Sequence, residues 1–534
     1  MAKAMSSIPI KSEEQSRSAH KNLVISAGII SGATLFSRIL GFLRDMIMAN
    51  MFGAEIVTDA FLVAFRLPDL LRRLMGEGAL SASFVPVFTE YLHKKEEQES
   101  WELVNNLISL TIIILIVIVI LSILFAPWII KICAPGYTMS QRKLYLTTLL
   151  ARILFPYIFF IGVGSLAMGI LNSLNHFLAP ALSPALLNIG IISGAYLISP
   201  RLKEPIVGLA IGVLLGGLAQ LIFELPILIH KGLKFQFALN FHHEGLRRIG
   251  TLMLPSAFGL AVGEINSMID TVCATFLPEG SVSYLYYSNR LIQFPQGLFA
   301  MAIGTAILPA MSGQAARGEI NDLKETFSFG LRLVMFITLP ATAGLILCRH
   351  SIIRILFQRG AFTAEATQAT ATALLLYAIG LFAYAGVSVI VPVFYSFQDT
   401  RTPVNIASIC LILNICMNIV LMWPLKHGGL ALATSLSSTF QFFFLAYYLR
   451  KKMGPLGGRK ISISCLKIVG ASSLTGAVAW GMIQYGTLHA LSRTSQVLAL
   501  MLIIFISSLV YAGISYLMGS PEMFFLIDTL RRKI

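Results

Sequence analysis

Five arginines stand in stretches otherwise apolar enough to cross a bilayer. Arg38 and Arg44 lie in Ser37-Arg-Ile-Leu-Gly-Phe-Leu-Arg-Asp45, Arg66 and Arg72 in the next apolar segment, and Arg290 in Tyr286-Tyr-Ser-Asn-Arg290. Arg73 adjoins Arg72. One arginine near a bilayer centre costs roughly 2.5–3.5 kcal/mol on insertion scales, and exposing several to lipid about 10 kcal/mol or more. They are therefore expected to face a water-filled cavity. Arg38 lies six residues before Arg44 and seven before Asp45, so all three fall on one broad helix face. The acidic residues nearby are Asp45, Asp59, Asp69 and Glu77. Asp59 falls near the outer end of its span, which leaves the cavity net positive. A positive, hydrated cavity calls for an anion, and the planar guanidinium pairs bidentately with phosphate or carboxylate. Asp45 and Asp69 also admit a plainer reading, as ion-pair partners of Arg44 and of Arg72 or Arg73.

A second constellation sits in the other half of the chain. Asp270 has no cation within one turn, Asn414 and Asn418 are four residues apart, and Thr434 lies on the next span. A carboxylate with amide and hydroxyl oxygens suits a hard cation such as Na⁺, or a proton on Asp270. A polar interhelical hydrogen-bond cluster is the competing reading.

These side chains need a scaffold, and composition says of what kind. Of 534 residues 56% are hydrophobic and 12% charged, against about 25% charged in a soluble protein. Mean hydropathy is +0.79. This excludes a disordered chain, a nucleic-acid-binding module and an ordinary soluble enzyme; the net charge of +15 fits basic cytoplasmic loops. A span takes about 20 apolar residues. Uncharged runs such as 153–200 and 366–398 lead to an all-α polytopic membrane protein with 14 expected spans, near 23–49, 57–91, 103–130, 144–171, 179–199, 206–229, 249–276, 282–312, 325–348, 366–396, 403–423, 428–449, 464–486 and 495–518. With both termini in the cytoplasm, inner segments carry 21 Lys and Arg and outer loops 10.

The two halves echo each other at one offset. Pro86 and Pro309, Lys131 and Arg354, and Pro180 and Pro403 are each 223 residues apart, in similar local sequence. Six spans per copy make a parallel repeat, a transporter architecture with the substrate site between two lobes. The expected organisation is a cytoplasmic tail (1–22), an N-lobe (23–230), a C-lobe (245–450), two extra helices (460–520) and a cytoplasmic C-terminal tail (521–534). The chain contains no Gly-Lys pair, hence no phosphate-binding G-x-x-x-x-G-K-[ST] loop, and no H-E-x-x-H. Its six cysteines form no C-x-x-C. Energy must then come from an ion gradient, the membrane potential or the substrate's own gradient.

Several motifs closely resemble the MurJ (MviN) family. They are 37–45, Asp59-Ala-Phe-Leu-Val-Ala-Phe65, Leu67-Pro-Asp-Leu-Leu-Arg-Arg73, Glu77-Gly-Ala-Leu-Ser81, Tyr286–Arg290, Phe294-Pro295 and Phe394-Tyr-Ser-Phe-Gln-Asp-Thr-Arg-Thr-Pro403. The resemblance runs from about residue 22 to the C-terminus. It implies a non-enzymatic lipid II flippase of the multidrug/oligosaccharidyl-lipid/polysaccharide exporter superfamily in the bacterial inner membrane. Such a protein moves the undecaprenyl-diphosphate-linked peptidoglycan precursor from the cytoplasmic to the periplasmic leaflet by alternating access. Its partners would be lipid II, membrane lipids and the cell-wall synthesis machinery, with no nucleic acid. Arg38, Arg44, Arg72 and Arg290 would be the cavity arginines, with Asp45, Asp59 and Glu77 tuning charge and gating. The two extra helices would form a groove for the polyprenyl tail. A family sodium site would fall on Asp270, Asn414, Asn418 and Thr434, with no other cofactor. Gln293 stands where some members carry Glu. The rival readings are a cation-coupled drug exporter, which calls for a carboxylate-rich cavity, and a non-transporting scaffold, which leaves the buried arginines without a purpose.

Overall fold

The computed structural model describes residues 32–76, 79–485 and 493–531, which are helical with connecting turns and contain no strand. The helices are α1 (32–52), α2 (Ile56–Gly76), α3 (Ala79–Lys94), α4 (Glu97–Leu124), α5 (Ala126–Cys133), α6 (Gln141–Leu154), α7 (Tyr157–Ser173), α8 (Leu178–Ser193), α9 (Val207–His230) and α10 (Glu244–Ala274). There follow α11 (Ser281–Pro295), α12 (Met301–Ala316), α13 (Ile320–Leu356), α14 (Ala364–Ile379), α15 (Leu381–Ser396), α16 (Arg401–Leu425), α17 (His427–Met453), α18 (Gly458–Tyr485), α19 (Arg493–Leu517) and α20 (Pro521–Arg531).

Among the described residues, ten helical segments are long and apolar enough to cross a membrane, or eleven with the bent pair α14–α15. The expected spans that fall outside this set, α1, α2–α3 and α10, are charged ones. They carry Arg38, Arg44 and Asp45, then Arg66, Asp69, Arg72 and Arg73, then Glu264 and Asp270. Arg38, Arg44, Asp45, Asp59, Arg72 and Asp270 of the candidate sites lie on these helices, whereas Arg290, Asn414, Asn418 and Thr434 lie on segments of the apolar set. Elsewhere exposed aliphatic side chains abound, as at Ile116, Val117 and Ile120 of α4, which is what a lipid solvent requires.

The chain forms two compact units: the first takes 60–132 and 140–261 with α1 up to Met48, the second 49–59, 133–139 and the chain from Val262 on. In the first, α3, α4 and α7 bury Phe84, Phe88, Leu103, Val104, Leu166 and Ile170 together. Helices α8 and α9 approach backbone to backbone along Gly190, Gly194, Gly208, Gly212 and Gly216. A Cβ on Gly190 would lie 2.5 Å from Gly216 Cα, and one on Gly212 2.6 Å from the Gly190 carbonyl oxygen. Small residues every fourth position are how helices associate where hydrophobic burial offers no drive. Leucine at 212 has nowhere to go. Gly212→Leu is expected to overpack the pair by at least about 1–3 kcal/mol and to lower the melting temperature of the purified protein, whereas Leu215→Ala, on an exposed side chain, leaves it unchanged.

After α9 the backbone runs extended along α4, held by that helix's polar side chains. Asn105 Nδ2 donates to the Lys234 carbonyl (3.1 Å), and the N–H groups of Gln236, Ala238 and Asn240 donate to Asn105 Oδ1, Ser109 Oγ and Asn106 Oδ1 (3.2, 3.2 and 2.7 Å). Phe235, Phe237 and Phe241 are left exposed on alternate positions.

In the second unit the long α13 packs against α12, α14, α15, α18 and α19, with Phe327, Leu331, Val334 and Met335 in a core shared with Val389, Ile390, Leu445 and Ile468. The α14–α15 pair bends by 42° at Gly380, where a Cβ would lie 2.7 Å from Ser435 Cα of α17. The Ser435 hydroxyl donates to the Leu376 carbonyl at 2.6 Å, and the Gly380 N–H turns to Tyr377. A side chain inserted into the i→i−4 ladder is a recognised cause of a kink. The terminal helix α20 is held by Glu522, almost fully buried, which pairs with Arg332 of α13 at 3.0 Å and accepts from Ser464 of α18 and from Ser520.

The 223-residue offset recurs in the backbone. Helices α4, α6 and α8 begin 223 residues before α13, α14 and α16. Asn175 and Gln398, two of the three described non-glycine residues at positive φ (56° and 58°), are also 223 apart. Each closes its turn with the same bonds: His176 N–H to Leu171 O and Asp399 N–H to Phe394 O, Asn175 N–H to Asn172 O and Gln398 N–H to Tyr395 O. These bonds satisfy helix C-terminal carbonyls.

Candidate functional site

The first cluster lies within unit 1, on α1. Glycine at 41 and small or apolar neighbours let α1 carry Arg44 into the bundle, where its guanidinium is 13% exposed and Asp45 is fully buried. Arg44 Nη2 and Nε both donate to Asp45 Oδ1 (2.7 and 3.0 Å), and Nη1 donates to Asn188 Oδ1 of α8 (3.1 Å). Asn188 in turn donates to the carbonyls of Ser37 (3.2 Å) and Pro184 (3.3 Å). The fork is thus fixed in plane by one carboxylate and one anchored amide, the device that pre-orients an anion-binding arginine. Arg38, two turns earlier, is exposed, as are Leu35, Phe36 and Ile39.

On α2, Asp69 accepts from Arg72 Nε at 2.9 Å and from Arg73 Nε at 3.2 Å, the i,i+3 and i,i+4 neighbours. The ion-pair reading of Asp45 and Asp69 is therefore the geometry observed, yet it does not discharge the site. On α1 and α2 the described part of unit 1 holds Arg38, Arg44, Arg66, Arg72 and Arg73 against Asp45 and Asp69, an excess of three positive charges. Glu77, expected to tune this charge, lies outside the described residues.

Asp59 belongs to unit 2 and is 2% exposed. It accepts from Gly280 N–H (2.8 Å), Ser283 N–H (2.9 Å) and Ser283 Oγ (2.6 Å). Gly280 itself sits at φ 84°. Asp59 is the cap of α11, supplied from 221 residues away, and satisfies the orphan N–H groups of that helix start. Helix α11 carries Arg290, half-buried, and the exposed Gln293, whose Nε2 donates to Asn289 at 2.7 Å.

The loop 394–403 is a second capping device. Asp399 accepts from Thr402 N–H (3.1 Å), Thr402 Oγ1 (3.0 Å) and Lys452 Nζ (2.7 Å), with Lys452 over the Phe397 ring. Partial burial raises the Asp399 carboxyl, and the hydrogen bonds from Lys452 and Thr402 outweigh it, leaving its pKa below the ordinary value.

The second constellation comes together within unit 2. Asn418 Nδ2 donates to Asp270 Oδ1 (2.6 Å) and to Asn414 Oδ1 (2.8 Å), and Thr434 Oγ1 donates to Asp270 Oδ2 (3.1 Å). Asn414 and Asn418 are fully buried, and Asn418 Oδ1 and Asn414 Nδ2 have no hydrogen-bond partner among the described residues. Here the Asn418 amide nitrogen bridges two oxygens, Asp270 Oδ1 and Asn414 Oδ1. A half-turn of that amide would bring Oδ1 inward and give carboxylate, two amide oxygens and a hydroxyl, a donor set that fits a hard monovalent cation. No group of three His, Cys, Asp or Glu that could hold a metal ion occurs among the described residues, so the donors do not suit a transition metal.

Asn188, Gly280 and Ser283 escaped the sequence reading. Asn188 could have been flagged as the single amide in the expected span 179–199; the capping pair carries no local signal.

The sequence profile described as "Lipid II flippase MurJ" matches residues 48–517. The "Probable lipid II flippase MurJ" of Vibrio cholerae is 35% identical over 93% of this chain and 97% of its own length. The "Lipid II flippase MurJ" of Burkholderia cenocepacia is 33% identical over 94% and 99%. The solved structure titled "Lipid II flippase MurJ, inward closed conformation" aligns with a TM-score of 0.75 at 30% identity, covering 91% of this chain and 98% of that one. An inward-facing multidrug resistance MATE family transporter of the MOP superfamily aligns at 0.65 and 13% identity over 80% and 98%, a likeness of fold alone. Motifs, helical architecture and these alignments agree: the chain belongs to the MurJ family of lipid II flippases.

Proposed function

We propose that this chain flips lipid II across the bacterial inner membrane, from the cytoplasmic to the periplasmic leaflet, with Arg44, Arg72 and Arg290 gripping the diphosphate and Arg38 supporting them. The observation that carries the reading is the excess of three positive charges on the parts of α1 and α2 that belong to unit 1, with the Arg44 fork already oriented by Asp45 and Asn188. An anion with two phosphates answers that excess. Asp45 and Asp69 then act as positioning residues, and Asp59 contributes by holding the start of the helix that carries Arg290.

The shared offset of helix starts and turns supports two six-span halves of parallel topology within a set of 14 spans, N-lobe 23–230 and C-lobe 245–450, both termini cytoplasmic. Such repeats favour alternating access. Segment 460–520 supplies a path for the polyprenyl tail, and an open cleft of about 400 Å³ supports it. That cleft is lined by Ala343, Ile346 and Leu347 of α13 and by Ser472, Gly476 and Trp480 of α18. Asp270, Asn414, Asn418 and Thr434 would hold Na⁺, whose binding would bias one conformation of unit 2.

The test is reconstitution. Proteoliposomes holding the chain and lipid II should lose externally accessible head groups with time, and protein-free vesicles should not. Replacing Na⁺ by choline should slow the change at least about tenfold, a 1.4 kcal/mol effect, and Asp270→Asn should remove that dependence. Flipping no faster than in empty vesicles would sink the reading; flipping indifferent to Na⁺ would sink the ion site only.

A further inference from the structure

Glu224 of α9 has no part in the arrangement above. Its side chain is 0% exposed, and neither carboxyl oxygen has a hydrogen-bond partner among the described residues. It lies among α7, α8 and α9. Gly164 of α7 makes room for it: a Cβ there would sit 3.6 Å from Glu224 Oε2. The Ser183 hydroxyl faces it from α8. One turn back, Gln220 donates Nε2 to the Ser183 carbonyl (2.9 Å), and its Oε1 is again without a partner among the described residues. Three buried acceptor oxygens therefore share one stretch of helix, and the single Ser183 hydroxyl that faces Glu224 cannot serve them all.

Among the described residues, no ion pair to Glu224 is present. Helices α7 and α8 contain no Asp, Glu, Lys, Arg or His. On the other elements packed against α9, Arg142, Tyr145, Arg152, Tyr196 and Arg201 are exposed, as is His230 at its own end. Lys143 is half-buried, and Tyr157, two turns away, is buried and neutral at physiological pH. An ionised carboxylate so placed is far costlier than the acid. A proton supplies the missing donor, since Gln220 Oε1 lies at i−4.

We propose that Glu224 is a proton-binding site built into unit 1, separate from the Asp270 cluster, and that its loading and unloading couples flipping to the proton gradient. The step is simple: the acid O–H bond breaks when water reaches the site, the proton passes to water and the carboxylate remains; sealing of α7, α8 and α9 requires the proton back. Ionisable groups facing a bundle interior are the usual sites of such relays. The coupling rests on the flippase reading; the proton site does not.

Two measurements on the full chain in liposomes test it. Infrared difference spectra across pH should show a protonated-acid carbonyl band in the wild type that fades as pH rises and is missing in Glu224→Gln. Lipid II flipping in the wild type should respond to an imposed proton gradient by at least about fivefold, the low end of ordinary coupling, and Glu224→Gln, with the same shape and no titration, should flip without that response. A wild type lacking the band overturns the proposal, whether or not the variant folds. So does a Glu224→Gln protein with the wild-type gradient response. If the band titrates but no protein flips lipid II, the proton site stands and the flippase reading falls.

Discussion

Arg44→Ala is expected to abolish lipid II flipping, both in reconstituted vesicles and as rescue of cells depleted of their own flippase. Arg290→Ala should do the same. Arg44 is half of a buried pair. Removing it strands the fully buried Asp45, and breaking such a pair from one side costs about 3–5 kcal/mol. The single variant thus mixes instability with loss of substrate contact. The double variant Arg44→Ala/Asp45→Asn separates them: with both charges gone it should recover membrane level and melting temperature and still fail to flip. Arg44→Lys is the finer probe. A lysine can keep the charge and one bond to Asp45 but cannot span Asp45 and Asn188 with a planar fork. Charge-assisted hydrogen bonds are worth about 1.5–3 kcal/mol each, so a loss of about 10- to 100-fold in rate is expected with the fold intact. Normal flipping by the double variant would remove the anion clamp from the mechanism.

The parts of this site that could be read from sequence were those where charge interrupts apolarity. Arg38, Arg44, Arg72, Arg290 and Asp270 announce themselves because an intramembrane charge is costly and rare. A charge also lowers the apolar count of a span: Asp59, Arg66, Asp69, Arg72 and Arg73 keep α2 outside the apolar set. The repeat is visible in three weak local matches, and its backbone trace, the paired turns at Asn175 and Gln398, falls in the third of them, Asn172-Ser-Leu-Asn175 against Tyr395-Ser-Phe-Gln398. Asp45 and Asp69 were open to two readings, and only geometry could show how closely each sits on its arginines. Asp59 joins the cavity arginines only through the family resemblance, and its carboxylate caps α11. Nothing local foretells a contact 221 residues away.

Asp59 therefore gives the second large effect, through structure and not through substrate. Asp59→Ala should cost several kcal/mol. It leaves the Gly280 and Ser283 N–H groups buried with no acceptor, at about 1–3 kcal/mol each, beyond the loss of a cap worth typically about 1 kcal/mol. The instructive variant is Asp59→Asn. It is isosteric, and if Asp59 acted only through charge on a distant ligand it would fold as well as the wild type. As a cap it cannot. Its single oxygen can serve Ser283, but its amide nitrogen then meets the Gly280 N–H, donor against donor, where Oδ2 now accepts at 2.8 Å. Both variants are expected to melt well below the wild type and to reach lower levels in the membrane. Residual flipping per folded molecule should stay near normal, because Arg44, Arg72 and Arg290 are all still present. Asp59→Glu has the acceptors but one methylene too many against a tight turn at φ 84°, and should fall between. A fully stable Asp59→Asn protein that fails to flip would overturn the capping role and return Asp59 to the substrate.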